Sequence, residues 1–335
     1  MRLKELEVKD FRSIKDIKLT FNGLTGILGG VSVGKSNLLL SLELFWNSDL
    51  LAQEHDTASL KKDLYYETIA EIPDPNILNN VLTNGSIYTK YTFEITNIED
   101  LKLFQGTNSP IELKINEINP ESIIIELNYD SQTNSIIRRL GFYNKSYSND
   151  VSWLDLPSTE IEFWHELLGR SFIIPLKDEL LVDLEEDVYH LLSDHYVKNI
   201  FQRYVSQILG EPCEFLSIGD KADEAKHFIY LSRTETESLL PLRYLSKGTK
   251  RLLRIISYLV NPKFRINGNI LVIDDPEIYL QAREQRALAD LLINNVSNNQ
   301  IIFSTASLRF LVGDLYLAIL DKNITSLKKS KIEVR

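Results

Sequence analysis

Charged and apolar side chains alternate through Lys4-Glu5-Leu6-Glu7-Val8-Lys9-Asp10-Phe11, the period of a strand with one face in water. After Arg12-Ser13-Ile14 the alternation resumes over Lys15-Asp16-Ile17-Lys18-Leu19-Thr20-Phe21, and Asn22-Gly23 marks a turn. Leu24 to Leu28 reads as a short buried strand and Ser36 to Phe45 as a helix with an apolar face. From about residue 50 to 225 the pattern loses clarity. Ser59 to Glu67 has helical character and Pro73-Asp74-Pro75 breaks the chain. Strand-like pieces follow at Tyr88 to Ile95, Pro110 to Ile118, Ser122 to Tyr129 and Ile136 to Tyr143. Glu160 to Gly169 reads as a short helix, and Phe172-Ile173-Ile174 as a buried strand stopped by Pro175. Asp183 to Leu209 carries one helical stripe closed by Gly210 and Pro212.

Clear periodicity returns at the strand Lys226 to Leu231 and the helix that follows Gly248, with Leu252, Leu253, Ile256 and Leu259 on one face. Asn269 to Ile273 is a continuous apolar strand, the form taken in a buried parallel sheet. Ala282 to Ile293 predicts a helix, Gln300 to Thr305 a strand and Leu315 to Leu320 a last buried strand. The tail from Lys322, with Lys328, Lys329, Lys331 and Arg335, reads as a solvated basic end.

Composition narrows the class. The 335 residues are 44% hydrophobic and 25% charged, as in a globular chain of about two domains. No apolar run reaches the ~18 to 20 residues of a membrane span, and Met1-Arg2-Leu3-Lys4 lacks the apolar core of a signal peptide. A cytoplasmic location without membrane contact is expected. The single cysteine, Cys213, excludes an internal disulfide. A net charge of −10 argues against a surface that coats duplex DNA, since such binding works by counterion release from Lys and Arg contacts.

Gly29-Gly30-Val31-Ser32-Val33-Gly34-Lys35-Ser36 fits the phosphate-binding loop G-x-x-x-x-G-K-[ST], set between a strand and a helix as that motif requires. Glycines let consecutive N–H groups turn inward around phosphate, and the helix adds its positive N-terminal end. Lys35 would reach the β- and γ-phosphates and the Ser36 hydroxyl would ligate Mg²⁺. Asp274-Asp275-Pro276-Glu277 ends an apolar strand in carboxylates, as a Walker B strand does; Asp274 would hold Mg²⁺ and Asp275 would orient the attacking water. Leu245-Ser246-Lys247-Gly248 before a basic helix is a second possible phosphate site, although an ordinary helix cap has the same sequence. His190 and His195 are five apart, which does not put ligands on one helix face.

Taken in order, the phosphate loop, Leu245-Ser246-Lys247-Gly248, Asp274-Asp275-Pro276-Glu277 and Ser304-Thr305-Ala306-Ser307 resemble the ABC-type ATPases of the SMC, RecF and OLD kind. Phe11-Arg12-Ser13-Ile14 and Gly34-Lys35-Ser36-Asn37-Leu38-Leu39 are similar to that group too. The resemblance covers about residues 1 to 46 and 226 to 321. It implies an α/β P-loop ABC-type head with a mixed or parallel sheet, built from 1–50 and 226–335, and an inserted α+β arm over 51–225. It also implies ATP and Mg²⁺ as cofactors, and ATP held between the heads of two copies in a homodimer or higher oligomer. Carried over by residue, Arg12, Gly29, Gly30, Val31, Ser32, Val33, Gly34, Lys35, Ser36 and Asn37 form the nucleotide side in cis. Ser246 and Gly248 act from the other copy, Ser36 and Asp274 serve Mg²⁺, and Asp275 with Lys35 is catalytic. Arg12 sits on the connection that faces the nucleotide in this group; a solvated turn arginine is the alternative. Gln105 is the candidate for the glutamine of the Q-loop.

Two departures bear on turnover. The group usually has Glu after the Walker B Asp, where this chain has the shorter Asp275. A misplacement of ~1 Å can cost about a hundredfold in rate. The group also usually has a histidine where this chain has Ala306. Slow hydrolysis, or ATP used mainly as a clamp, is therefore expected. The resemblance points to DNA surveillance in antiphage defence, of the OLD-like kind without a fused nuclease, together with a separate nuclease or toxin effector. A RecF-like repair clamp binding duplex DNA through Lys250 and Arg251 is the alternative. A transporter ATPase is disfavoured by the β-rich middle, and a long-armed chromosome organiser by the lack of heptads.

Overall fold

A computed structural model describes residues 2–46, 86–95, 110–130, 135–146, 148, 150–155, 171–174, 184–219, 227–233, 238–261, 270–296, 299–310, 314–321 and 324–329. The helices expected at Ser59 to Glu67 and Glu160 to Gly169, and Gln105, lie outside these residues. The chain forms two compact units: 1–22 with 29–171 and 316–330, and 23–28 with 172–315 and 331–335.

The first unit is a sheet with one helix-covered face. β1 (Arg2–Phe11) pairs antiparallel with both β2 (Ile14–Thr20) and β4 (Ser86–Glu94). β5 (Ser122–Asp130), β6 (Ser135–Tyr143) and β7 (Ser152–Asp155) extend it antiparallel beyond β4, giving the order β7-β6-β5-β4-β1-β2. A register shift between Leu3 and Glu5 moves the apolar set by one place, so Leu3, Leu6 and Val8 all reach the core despite their spacing. On the other side of β2 lie β15 (Ile324–Lys329), parallel to it, and then β14 (Asp314–Asp321). The tail expected to be a solvated end thus supplies a strand, which a short stretch with Lys328-Lys329 did not announce.

Helix α1 (Lys35–Trp46) lies on the buried face, where Tyr91 of β4 donates its hydroxyl to the Ser41 carbonyl at 2.5 Å. Pro110 to Ile118 is a helix, α2, and not the expected strand. Proline suits a first helical turn, and Ile111, Ile115 and Ile118 recur at helical spacing and are buried. The opposite face of this sheet carries a ladder of charged positions, with Glu126 paired to Lys90 at 3.8 Å and to Arg139 at 3.9 Å. Along one row Lys18, Glu7, Lys90, Glu126, Arg139 and Asp155 stand in register on six neighbouring strands with alternating sign. Charges that alternate across strands favour this register over any slipped one. They also leave the row without net charge, unsuited to following a phosphate backbone.

The second unit contains β3 (Leu24–Leu28), which pairs parallel with β13 (Gln300–Thr305), which pairs parallel with β12 (Ile270–Ile273); β8 (Ser171–Ile174) follows β12. All residues of β3, β12 and β13 are buried, the signature of strands covered on both faces. Around them one core joins α3 (Leu184–Ser193), α4 (His195–Leu209), α5 (Lys247–Val260), α6 (Ala282–Asn294) and the three-stranded antiparallel sheet β9 (Cys213–Gly219), β10 (His227–Arg233) and β11 (Ser238–Pro241). The stripe read as one helix from Asp183 to Leu209 is two helices. Asp194 has extended backbone and caps α4, accepting from Tyr196 N at 2.8 Å and Val197 N at 3.1 Å. Val188, Phe201 and Val205 on this pair join the same core as Leu252 and Ile256 of α5. Hence the compact units divide the chain along other lines than head 1–50 with 226–335 and arm 51–225: β4 to β7 continue the β1 sheet, and α3 and α4 pack with α5.

Candidate functional site

The phosphate-loop sequence runs from the end of β3 into α1. Ser32 and Gly34 have left-handed backbone, with φ of 64° and 89°, so the loop doubles back on itself. A side chain at Gly34 is excluded twice, since a Cβ would also fall 2.1 Å from Thr325 Oγ1. Lys35 is buried and donates its ammonium to the Gly30 carbonyl at 2.9 Å. Gly30, Val31 and Ser32 at the loop tip are exposed, and Ser36 is half-buried at the start of α1. Behind the loop the Arg12 guanidinium donates to Asn37 Oδ1 at 3.0 Å, and Asn37 Nδ2 donates to Ser13 Oγ at 2.8 Å. The reading of Arg12 as a purely solvated turn residue is thereby set aside: it holds the first turn of α1 from the β1–β2 turn, where its own φ is 52°.

In the second unit β12 ends in Asp274 and Asp275, and β13 ends beside it in Ser304 and Thr305. Ser304 Oγ bonds to Asp274 Oδ1, lies 3.1 Å from Asp275 Oδ1, and accepts from Asp275 N at 2.8 Å. One hydroxyl thus orients both carboxylates. Asp275 turns the chain sharply, with φ of 40°, a conformation Asp tolerates better than most residues. Glu277 is buried, and its Oε1 accepts from Thr305 Oγ1 at 2.7 Å, Ala306 N at 2.7 Å and Ser307 N at 3.2 Å. It clamps the turn after β12 to the loop after β13, the place of Ala306. The sequence placed Ser304 and Glu277 in motifs, but gave no sign that Ser304 would bond to the Asp274 carboxylate or that Glu277 would hold the loop after β13.

Ser246 is the N-cap of α5, accepting from Thr249 N at 3.2 Å, and remains exposed. Gly248 is buried because the chain at Tyr279 passes over it: a Cβ there would meet the Tyr279 carbonyl oxygen at 2.6 Å. The start of α5 and the turn that follows Asp274-Asp275-Pro276-Glu277 are thus packed backbone to backbone. Two basic residues of α5 differ from expectation. Arg251 is buried and donates to the Asp274 carbonyl, and Lys250 donates to the Arg243 carbonyl at 2.7 Å. Arg251 therefore supports the turn after β12 from inside the unit and is not part of the open surface.

Among solved structures the chain is similar to SMC head domains over nearly its whole length. An SMC head bound to the C-winged helix domain of ScpA matches at TM-score 0.62 and 13% identity, covering 99% of this chain and 98% of that one. The SMC head domain from Thermotoga maritima matches at 0.56 and 14%, covering 99% and 100%. An SMC head with an extended coiled coil, bound to the C-terminal domain of ScpA derived from Pyrococcus furiosus, matches at 0.61 and 10%, covering 98% and 96%. At such identities the likeness speaks for the fold alone. A search of curated proteins finds no match. The model of the AAA ATPase domain matches residues 1–311, and the chain belongs to that family. It is an ATPase with an SMC-head-like α/β fold, as the ordered motifs led one to expect. Among the described residues no helix is long and apolar enough to cross a membrane.

Proposed function

We propose that this ATPase is a slowly hydrolysing, ATP-gated head that pairs with a second copy around bound nucleotide. In this reading it serves DNA surveillance in antiphage defence, in the cytoplasm, with a separate nuclease or toxin as effector. The observation that carries the nucleotide part is the parallel register of three strands. Leu28 stands opposite Thr305 and Phe303 opposite Ile273, so the strands leading into the phosphate loop, Ser304-Thr305 and Asp274-Asp275 end along one edge. In open α/β sheets that edge is where ligands sit.

The phosphate loop offers a cationic ammonium at Lys35, turned backbone at Ser32 and Gly34 and a hydroxyl at Ser36, and the turn after β12 offers a carboxylate at Asp274 held by Ser304. In this proposal Gly29 to Gly34 cradle the phosphates with their N–H groups, Lys35 meets the β- and γ-oxygens, and Ser36 and Asp274 serve the metal. A Mg²⁺ held by Ser36 and Asp274 would supply positive charge against the charge developing on the transferred phosphoryl group. Asp275 takes a proton from the water that attacks the γ-phosphorus, and ADP leaves with its terminal oxygen charged. Slow turnover follows from the short Asp275 side chain, which is also tied to Ser304, and from Ala306, which has no imidazole to offer. Ser246 and Gly248 address the γ-phosphate bound by the other copy.

Two of the similar SMC heads are bound to domains of ScpA; for this chain we propose an effector protein instead. A DNA-binding face built on Arg251 is not part of the reading, because that guanidinium is committed to the Asp274 carbonyl. Light scattering on the purified protein tests the clamp. The mass is expected to double on adding ATP and Mg²⁺, and to stay doubled for longer in Asp275→Asn. A mass that never changes in either protein sinks the ATP-gated pairing.

A further inference from the structure

The phosphate loop is braced from behind by a residue near the far end of the chain. Thr325 of β15 is buried; its N–H donates to the Ser13 carbonyl at 2.7 Å, and its register partner on β2 is Ile14. Its hydroxyl donates to the Val33 carbonyl at 3.1 Å and lies 2.7 Å from Ser13 Oγ.

One arrangement of protons makes every contact in this cluster a hydrogen bond. Thr325 has one hydroxyl proton, and the Val33 carbonyl can only accept, so that proton is spent there. Ser13 must then donate to Thr325 Oγ1. Ser13 Oγ in turn accepts from Asn37 Nδ2, and Asn37 Oδ1 accepts from the Arg12 guanidinium. The result is an unbroken relay, Arg12 to Asn37 to Ser13 to Thr325 to the Val33 carbonyl. A fixed cation stands at one end and a phosphate-loop peptide at the other. Chains of this kind polarise their members in one sense, strengthening the last link.

The last link matters because the peptide is planar and trans. Its C=O and N–H point in opposite directions, so a bond holding the Val33 oxygen on the β15 side aims the Gly34 N–H to the other side. Left-handed Gly34, which has no room for a Cβ beside Thr325, lets the loop lie against these hydroxyls. We propose that Thr325 is a positioning residue for ATP: through the Val33 carbonyl it presents the Gly34 N–H to the phosphates. This rests on the reading of Gly29 to Ser36 as the nucleotide loop.

Isothermal titration with ATP and Mg²⁺, and steady-state hydrolysis, test it on the full chain. Thr325→Val keeps shape and loses the hydroxyl, and is expected to weaken ATP binding about tenfold, the scale of one orienting hydrogen bond. Thr325→Ser restores the hydroxyl and is expected within about twofold of wild type on the same scale. Because the Gly34 N–H acts on ground state and transition state alike, KM should rise while kcat holds; a folding defect would instead lower kcat and leave KM. Ser13→Ala removes the proton donor without touching β15. It is expected to weaken binding about threefold, and it carries the test should Thr325→Val not fold. Lys35→Ala separates the two levels. If it abolishes binding while Thr325→Val and Ser13→Ala bind as wild type, the positioning role is wrong and the nucleotide loop stands. If wild type fails to bind, or Lys35→Ala binds unchanged, the loop reading falls and the positioning role with it.

Discussion

At the scale of single residues, Glu277 shows how a carboxylate in a catalytic-looking sequence can be held for structure. Three donors converge on its Oε1, so that oxygen is occupied before any water could use it. Hydrogen bonds to a charged acceptor contribute about 1.5–3 kcal/mol each when a buried donor would otherwise be stranded. Glu277→Ala strands two N–H groups and a hydroxyl and should cost about 3 kcal/mol of stability in urea unfolding. Glu277→Gln keeps an acceptor of the same reach, and should cost about 1 kcal/mol while leaving kcat within a few-fold. A Glu277→Gln protein that is fully stable and has lost hydrolysis would make Glu277 the base and displace Asp275. The buried Cys213 gives a second residue-level expectation. Burial pushes its thiol up to about 11, so it stays protonated and unreactive toward thiol reagents at pH 8 until the chain unfolds. Rapid labelling of the native protein would contradict that.

The elements show which parts of the chain were legible and why. Strands β1, β2 and β4 were readable because half-exposed strands alternate, and β12 and β13 because doubly buried ones do not. Pro110 to Ile118 misleads because Ile111, Leu113 and Ile115 alternate with polar residues as in a strand; only the step of three from Ile115 to Ile118 breaks that alternation in favour of a helix. The break at Asp194 is invisible in the apolar stripe, which continues in phase across it, and lies in the cap alone. β15 escapes because its strand character comes from its partners β2 and β14. The ladder on the open face gives this scale its prediction. Glu126 sits between Lys90 at 3.8 Å and Arg139 at 3.9 Å and accepts from the Tyr88 hydroxyl at 2.9 Å. Glu126→Lys puts three cations side by side and should cost about 1–2 kcal/mol at low salt. Because solvent-exposed charge repulsion is screened within ~3 Å at 1 M salt, much of that penalty should vanish there. A penalty indifferent to salt would mean that shape, and not charge, sets the register.

For the whole molecule, the site was legible as a set of motifs and illegible as a set of supports. Lys35, Ser36, Asp274 and Asp275 stand in short segments whose residue types the chemistry dictates. Ser304, Arg251 and Thr325 are ordinary residues whose role exists only once distant segments meet: Thr325 is 312 positions from Ser13. The proposed function assigns the phosphates to Lys35 and the metal to Asp274, and ligand-linked stability tests each assignment on the full chain. A ligand that binds only the native state stabilises it by about 2.7 kcal/mol at a hundred times its Kd. ATP with Mg²⁺ should raise the melting temperature by a few degrees, since ~1 kcal/mol moves a domain of this size about 2–4 °C. Lys35→Ala should abolish the rise with or without the metal. Asp274→Asn should abolish only the part that depends on Mg²⁺, because its carboxylate is assigned to the cation and not to the phosphates. Were the Mg²⁺-dependent part the same in Asp274→Asn as in wild type, Asp274 would have no share in the metal, and that assignment would fail even with the phosphate loop intact.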